Sequence, residues 1–232
     1  MMMRRLLVLL LALVCRVTTF AQPAGQAAHL ALVGDSTVTD SAGWGAAFAQ
    51  RLRPEVRCTN KSRGGASTKS YLATNLWRET LALAPTHVLV QFGHNDMPGK
   101  GPERETNPAT TYRENLRRFV AEARAIGAKP ILVSSVTRRN FKNGKLVDLL
   151  ADFAAAAKEV AAAEQVPFVD LHARSVEAVT RLGEQGAAEL GPMKDGQRDN
   201  THFSPAGAAW AADLVIAELK RVVPAAAGWF KP

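Results

Sequence analysis

Cysteine is almost missing from this chain: Cys15 and Cys58 are the only two in 232 residues. Cys15 falls in an N-terminal stretch that reads as a removed leader. That leaves Cys58 alone, and one thiol cannot form an intramolecular bridge. A disulfide scaffold is therefore excluded, and stability must come from a packed core. Cys58 itself lies in an apolar, strand-like stretch and reads as a small buried residue. Past residue 14 no apolar run is long enough to cross a bilayer. Dense Lys/Arg runs with interleaved aromatics are also lacking, which argues against nucleic acid as a partner. There is no internal repeat and no linker. The G-x-S-x-G elbow of α/β-hydrolases is absent around the serine that matters below.

What is present begins with a leader. A basic start, MMMRR, precedes the unbroken apolar run LLVLLLALV at residues 6–14, and Thr19-Phe20-Ala21 supplies a small-residue end. Residues 1–21 read as a signal peptide, leaving 22–232 as a single domain outside the cytoplasm, secreted or periplasmic, with no membrane contact after cleavage. The alternatives are an uncleaved anchor and a lipoprotein at Cys15. Bulky Val14 and Arg16 beside that cysteine argue against the second. Removing Arg4, Arg5 and Arg16 lowers the net charge from +8 to +5. That mild basic bias suits anionic polymers, although solvated surface charge accounts for most of it.

Short apolar runs alternate with longer helical patterns. Residues 30–33, 56–59, 88–92, 131–135 and 166–171 read as strands, and their continuous apolar character suits a parallel sheet covered on both faces. Helices are expected at 44–52, 72–84, 110–126, 146–164, 175–190 and from Pro205 onward. Ser204 caps the last of these and Pro205 takes its first position. Residues 98–108, rich in Gly, Pro and charge, read as a surface loop. The alternation predicts an α/β fold: a three-layer α/β/α sandwich around a five-stranded parallel sheet. Sites in such sheets lie beyond the carboxyl ends of the strands.

The residues at those ends carry chemistry. Gly34-Asp35-Ser36-Thr37 follows the first strand, so Ser36 can expose its hydroxyl at the rim; the plain alternative is a helix N-cap. If a helix starts directly after it, the Ser36 N–H can also hold an anion. Asp199-Asn200-Thr201-His202 precedes the last helix. Serine needs a base to become a nucleophile, and a carboxylate must fix the imidazole tautomer. Three residues of spacing in a turn let Asp199 reach one nitrogen of His202 and leave the other for Ser36. An ester hydrolase also needs donors for the tetrahedral oxyanion. Gly93-His94-Asn95-Asp96 follows the third strand and Gly64-Gly65 follows the second, placing the Asn95 amide and a close-approaching backbone N–H at the same rim.

Taken together, Ser36 in GDST, Gly65 in NKSRGGAS, Asn95 in GHND and His202 in DNTHFSPAG resemble the four signature positions of the SGNH/GDSL hydrolases, in the right order and from about Leu30 to the last helix. The wording of these motifs is similar to the rhamnogalacturonan acetylesterase branch. The resemblance implies a flavodoxin-like sandwich and a catalytic triad of Ser36, His202 and Asp199. It also implies an oxyanion hole made by the Ser36 and Gly65 N–H groups and the Asn95 side chain. It requires no cofactor and no metal. The implied substrate is an acetylated polysaccharide or oligosaccharide, foremost the rhamnogalacturonan of pectin.

Other residues carry expectations of their own. His94, Arg138 and Arg139 are candidate substrate contacts, the arginines for a uronate carboxylate. A structural hydrogen bond for His94 and surface solvation for the arginines are the plain alternatives. His94, Asp96, Asp199 and His202 as metal ligands would leave the serine and its oxyanion donors unexplained. His29 and His87 start strands with no partner in view, His172 reads as structural, and Trp44 and Trp77 as core or cleft walls rather than sugar platforms. The competing functions are an acetylxylan esterase, a GDSL lipase or thioesterase, and a non-catalytic glycan-binding protein. The polar loops beside the motifs favour a short acyl group. Nothing in the sequence sets the oligomeric state.

Overall fold

The computed structural model describes residues 27–232, so the leader reading lies outside the described residues. The elements run β1 (His29–Gly34), α1 (Gly45–Gln50), β2 (Arg57–Asn60), α2 (Thr68–Leu72), α3 (Leu76–Ala82), β3 (His87–Gln91), α4 (Thr111–Ala125) and β4 (Lys129–Val133). They continue with β5 (Phe141–Lys142), β6 (Lys145–Leu146), α5 (Ala151–Ala163), β7 (Phe168–Val169), α6 (Leu171–Ala188), β8 (Met193–Lys194), β9 (Gln197–Arg198) and α7 (Pro205–Val222). A five-stranded sheet has the order β2-β1-β3-β4-β7, and every pairing in it is parallel. This is the expected three-layer sandwich, with the flavodoxin-like strand order.

Alternation along each strand builds a core on either side. Leu30, Leu32, Leu89, Ile131 and Val133 pack with Trp44 and Phe48 near α1 and with Ala211, Val215 and Leu219 of α7. Ala31, Val33, Val88, Val90 and Leu132 face the other way, against Tyr71, Trp77 and the apolar stripe of α4 and α5. In α4 that stripe is Tyr112, Leu116, Phe119, Val120 and Ala123, the spacing of one helix face. Phe119 stacks on Phe92 with ring centroids 5.5 Å apart and meets Trp77 edge-on. Each large side chain so buried contributes about 1.5–3 kcal/mol. Trp44 and Trp77 are core residues, as expected.

Several boundaries differ from the expectation. The fifth strand is cut to two residues because the Asp170 side chain accepts from Ala173 N and caps α6, which starts at Leu171 rather than Ser175. Gly183, at φ 67°, interrupts α6. The expected helix at 72–84 is two short helices, the first opened by a Ser67–Ser70 capping box. The stretch before α5 is a hairpin, β5–β6, turned by Asn143 and Gly144. His29 and His87 have partners after all: Thr59 Oγ1 and Thr86 Oγ1, each at 2.9 Å. His172 is structural, bonded to Asp148 and to the Ser135 carbonyl. Cys58 is half-buried on the edge strand rather than enclosed.

Strand order reverses between β1 and β3, so the crevice at their carboxyl ends is the natural place for a ligand. Ser36 follows β1 and Asn95 follows β3.

Candidate active site

The chain leaves β1 in a tight turn closed by Val38 N donating to Asp35 O at 3.1 Å. Asp35, fully buried, accepts from Thr37 N at 2.9 Å and Thr37 Oγ1 at 2.7 Å through one carboxylate oxygen. Gln91 Nε2, at the end of β3, donates to Thr37 Oγ1, and Trp44 Nε1 donates to Gln91 Oε1. Ser36 therefore rides on a turn fastened from beneath by three buried polar side chains. No helix starts behind it: α1 opens only at Gly45. The helix N-terminus considered from sequence does not form at Ser36.

The loop between β9 and α7 brings up the base. Asp199 Oδ1 accepts from Thr201 N and His202 N, at 2.7 and 3.0 Å, which folds the loop back on itself. Asp199 Oδ2 then meets His202 Nδ1 at 2.7 Å, and His202 Nε2 meets Ser36 Oγ at 2.9 Å. Burial opposes ionisation of Asp199, but the bonds from His202 and Thr201 outweigh it and hold the carboxyl at about 2. An anion at Oδ2 places the imidazole proton on Nδ1 and leaves Nε2 as an acceptor for the serine hydroxyl.

The loop after β2 faces this pair. A side chain on Gly64 would begin 3.9 Å from Ser36 Cβ, so the loop backbone lies beside the nucleophile. Gly65 has φ +73°, a conformation glycine adopts without strain. Asn95 Nδ2 donates to Ala66 O at 3.0 Å, which ties the Asn95 amide to the Gly65 loop and leaves its second N–H free of that bond. Beneath it, buried Asp96 accepts from Thr68 N, Thr68 Oγ1 and Thr106 Oγ1.

Two of the three remaining candidates are buried. His94 is 1% exposed and Arg139 6%. Arg139 turns under the triad loop, where its Nη2 donates to the carbonyls of Asp199 at 2.8 Å and His202 at 2.5 Å. Its guanidinium lies 5.2 Å from the Phe203 ring centre. Half-buried Arg138 spans His94 O and Thr201 Oγ1. The direct substrate contacts expected of His94 and Arg139 are thus corrected by burial, whereas Arg138 keeps partial exposure beside its bonds to His94 and Thr201. The cause is local: Arg139 N donates to Asn200 O, so the chain leaving β4 passes beneath the triad loop. Among the described residues no group of three or more His, Cys, Asp or Glu side chains is arranged to hold a metal ion.

Two further cations lie near the rim. An Arg104 guanidinium nitrogen lies 3.9 Å from where a Gly65 side chain would begin, and Arg104 Nε is fixed on Lys100 O at 2.7 Å. Burial, with the nearby charges of Arg138 and Arg104, holds the Lys100 ammonium below its usual value. The sequence offered only the loop at 98–108 as a signal for these two. On the other flank a polar hollow of about 440 Å³, lined by Lys194, Asp195, Gln197, Arg198, Asp199 and Asn200, adjoins the triad. The larger hollow of about 610 Å³, between α1, α7 and the C-terminal residues, holds none of the site residues.

Comparison with known proteins matches this chain to the GDSL-like lipase/acylhydrolase family model over residues 31–210. The protein named probable rhamnogalacturonan acetylesterase YesY, of Bacillus subtilis, is 35% identical over 202 residues, 84% of this chain and 93% of the relative. Rhamnogalacturonan acetylesterase RhgT of the same species is 36% identical over 204 residues, 79% of this chain and 86% of the relative. Among solved structures, Axe2, an acetylxylan esterase from Geobacillus stearothermophilus, shares the fold. It has a TM-score of 0.66 at 20% identity, covering 84% of this chain and 95% of its own.

Proposed function

The chain belongs to the GDSL-like lipase/acylhydrolase family, and on that premise we propose that it is a serine carbohydrate esterase that removes O-acetyl groups from acetylated polysaccharide, rhamnogalacturonan in pectin foremost. The observation that carries this reading is the hydrogen-bonded chain from Asp199 through His202 to Ser36, at 2.7 and 2.9 Å. Ser36 Oγ attacks the acetyl carbonyl as His202 Nε2 takes its proton. Negative charge gathers on the carbonyl oxygen, where the Ser36 and Gly65 N–H groups and the Asn95 amide receive it. His202 returns the proton to the departing sugar hydroxyl, leaving an acetyl-enzyme. Water activated by the same imidazole then releases acetate and restores Ser36. Asp199 stays ionised throughout and keeps the ring in place.

Two features favour a short acyl group on an anionic polymer. The hollow beside Asp199 is lined by charged and amide side chains rather than apolar ones, unlike an acyl-chain groove. Arg104 and Lys100 stand on the oxyanion side with no carboxylate partner among the described residues, placed for a uronate carboxylate. The names of the two Bacillus subtilis relatives support the same substrate. The leader pattern at residues 1–21 supports export, to the periplasm or the medium.

Acetate release by wild type and Ser36→Ala on acetylated rhamnogalacturonan, acetylated xylan and 4-nitrophenyl esters of rising chain length tests the proposal. The exported protein should start at Gln22. The expected result is release from the pectin fraction that Ser36→Ala lowers by roughly 10³-fold or more. Preference for xylan would move the substrate, preference for long acyl chains would make it a lipase, and a fully active Ser36→Ala would remove the triad.

A further inference from the structure

A second aspartate–histidine pair lies behind the triad. Asp35 is 0% exposed and His94 1%. His94 Nδ1 stands 3.4 Å from Asp35 Oδ2, long for a hydrogen bond, and neither atom has another partner. His94 Nε2 is likewise without one. Taking a carboxylate and an imidazole out of water is unfavourable unless they serve each other. Well-packed apolar side chains would fill the same space without that cost, so packing does not account for the pair.

Its place in the chain suggests what does. Asp35 immediately precedes Ser36, and His94 immediately precedes Asn95. At each strand end one residue turns outward to the rim while its neighbour turns inward, and the two inward residues meet. The other oxygen of Asp35 holds the turn under Ser36 through Thr37. The carbonyl of His94 accepts from Arg138 Nη2 at 3.2 Å, and the other arm of Arg138 reaches Thr201, next to His202. The pair thus touches the supports of the nucleophile, the oxyanion amide and the base.

We infer that the buried Asp35–His94 pair is a positioning device, which sets the spacing between the Ser36 hydroxyl and the Asn95 amide by tying together the strand ends that carry them. The inference rests on the esterase reading above. Burial keeps His94 neutral, below the usual imidazole value. Burial also works against the Asp35 charge, but the contacts with His94 and Thr37 overcome it and the carboxyl stays low. The consistent state is a neutral imidazole turning its Nδ1–H toward an anionic Asp35. A displacement of about 1 Å between nucleophile and oxyanion donor is enough to cost on the order of 10²-fold in rate.

The test separates the two ring nitrogens. Asparagine at position 94 carries an N–H near the place of Nδ1, whereas glutamine carries one near Nε2. His94→Asn, His94→Gln and His94→Leu are compared with wild type and Ser36→Ala for kcat and KM on 4-nitrophenyl acetate. Inactivation by a serine-directed phosphonate and thermal unfolding are measured on the same samples. The expected result is a kcat in His94→Gln lower than in His94→Asn by about tenfold, with KM within about threefold of wild type for both, and phosphonate inactivation slowed in the same order. His94→Leu, where it folds, should fall at or below His94→Gln. Equal kcat values in folded His94→Asn and His94→Gln would overturn the positioning role while leaving the esterase intact. A fully active Ser36→Ala would overturn the esterase reading and this inference with it.

Discussion

At the scale of single residues, the environment decides what each carboxyl group does. Asp199 and Asp96 are alike in sequence, but their surroundings pull them apart. Bonds from His202 and Thr201 bring Asp199 to about 2 despite its burial. In Asp96 burial dominates the bonds from Thr68 and Thr106, and the carboxyl rises to about 7. The two therefore make opposite contributions to stability. The Asp199 contribution is complete above the unfolded value of about 4 and is lost as pH falls toward 2. Folded Asp96 retains a proton that the unfolded chain gives up near pH 4, so its contribution is complete below about 4 and is lost as pH rises through 7. Asp96→Asn should remove that loss. Urea unfolding of wild type and variant at pH 5 and pH 8 should show the difference in unfolding free energy moving toward the variant at the higher pH, by on the order of 1–4 kcal/mol. A difference that does not change with pH would mean that Asp96 is ionised throughout. At this scale the sequence was legible in residue type and order. Ser36, Gly65, Asn95, Asp199 and His202 each follow a strand or precede a helix where a rim residue must. The inward turn of His94 and Arg139 was not legible, because side-chain direction at a strand end is set by the loop that follows. The roles of Asp35, Thr37 and Gln91 were missed because the contacts that tie the Ser36 turn to β3, Gln91 to Thr37 and Asp35 to His94, join segments more than 50 residues apart in the chain.

Elements show the same division. Apolar runs marked the three inner strands of the sheet, since a parallel sheet covered on both faces needs apolar residues on both, whereas edge strand β2, Arg57-Cys58-Thr59-Asn60, is mostly polar and was marked only by Val56 and Cys58. The hairpins β5–β6 and β8–β9 went unseen, although Asn143-Gly144 and Asp195-Gly196 are the dipeptides that such turns favour. Their flanking residues are mostly polar and basic, so no apolar alternation announced a strand. The best-marked element is α7, whose start holds the loop carrying His202. Ser204 Oγ accepts from Gly207 N at 3.2 Å, and Ser204 N donates to Leu190 O at 2.9 Å. Ser204→Ala should lower stability by about 1 kcal/mol, read as the urea midpoint, and Ser204→Thr should restore most of it by keeping the hydroxyl. Equal loss in both variants would assign the effect to packing at the helix start rather than to the cap.

Across the whole molecule, charge is the property that bears on substrate. The chain is basic, with 29 Lys and Arg against 21 Asp and Glu. Some of these cations are neutralised locally: Arg51, Arg113, Arg118 and Arg174 all pair with carboxylates away from the nucleophile. Arg104, beside the Gly65 loop, and Lys100, whose carbonyl holds it, are among the cations without such a pairing in the described residues, so they leave positive charge next to the nucleophile. A field of this kind strengthens encounter with a polyanion and leaves a neutral ester unaffected. It is also screened by salt, with a Debye length of about 10 Å at 0.1 M that shrinks to about 3 Å at 1 M. Raising NaCl from about 0.05 to 0.5 M should therefore raise KM for acetylated rhamnogalacturonan several-fold while KM for 4-nitrophenyl acetate stays level. Arg104→Gln should raise the pectin KM at low salt and flatten its salt dependence, with little change on the small ester. A pectin KM indifferent to both salt and Arg104 would mean that the rim does not read carboxylates, and the neutral acetylated xylan would become the better substrate for the same triad.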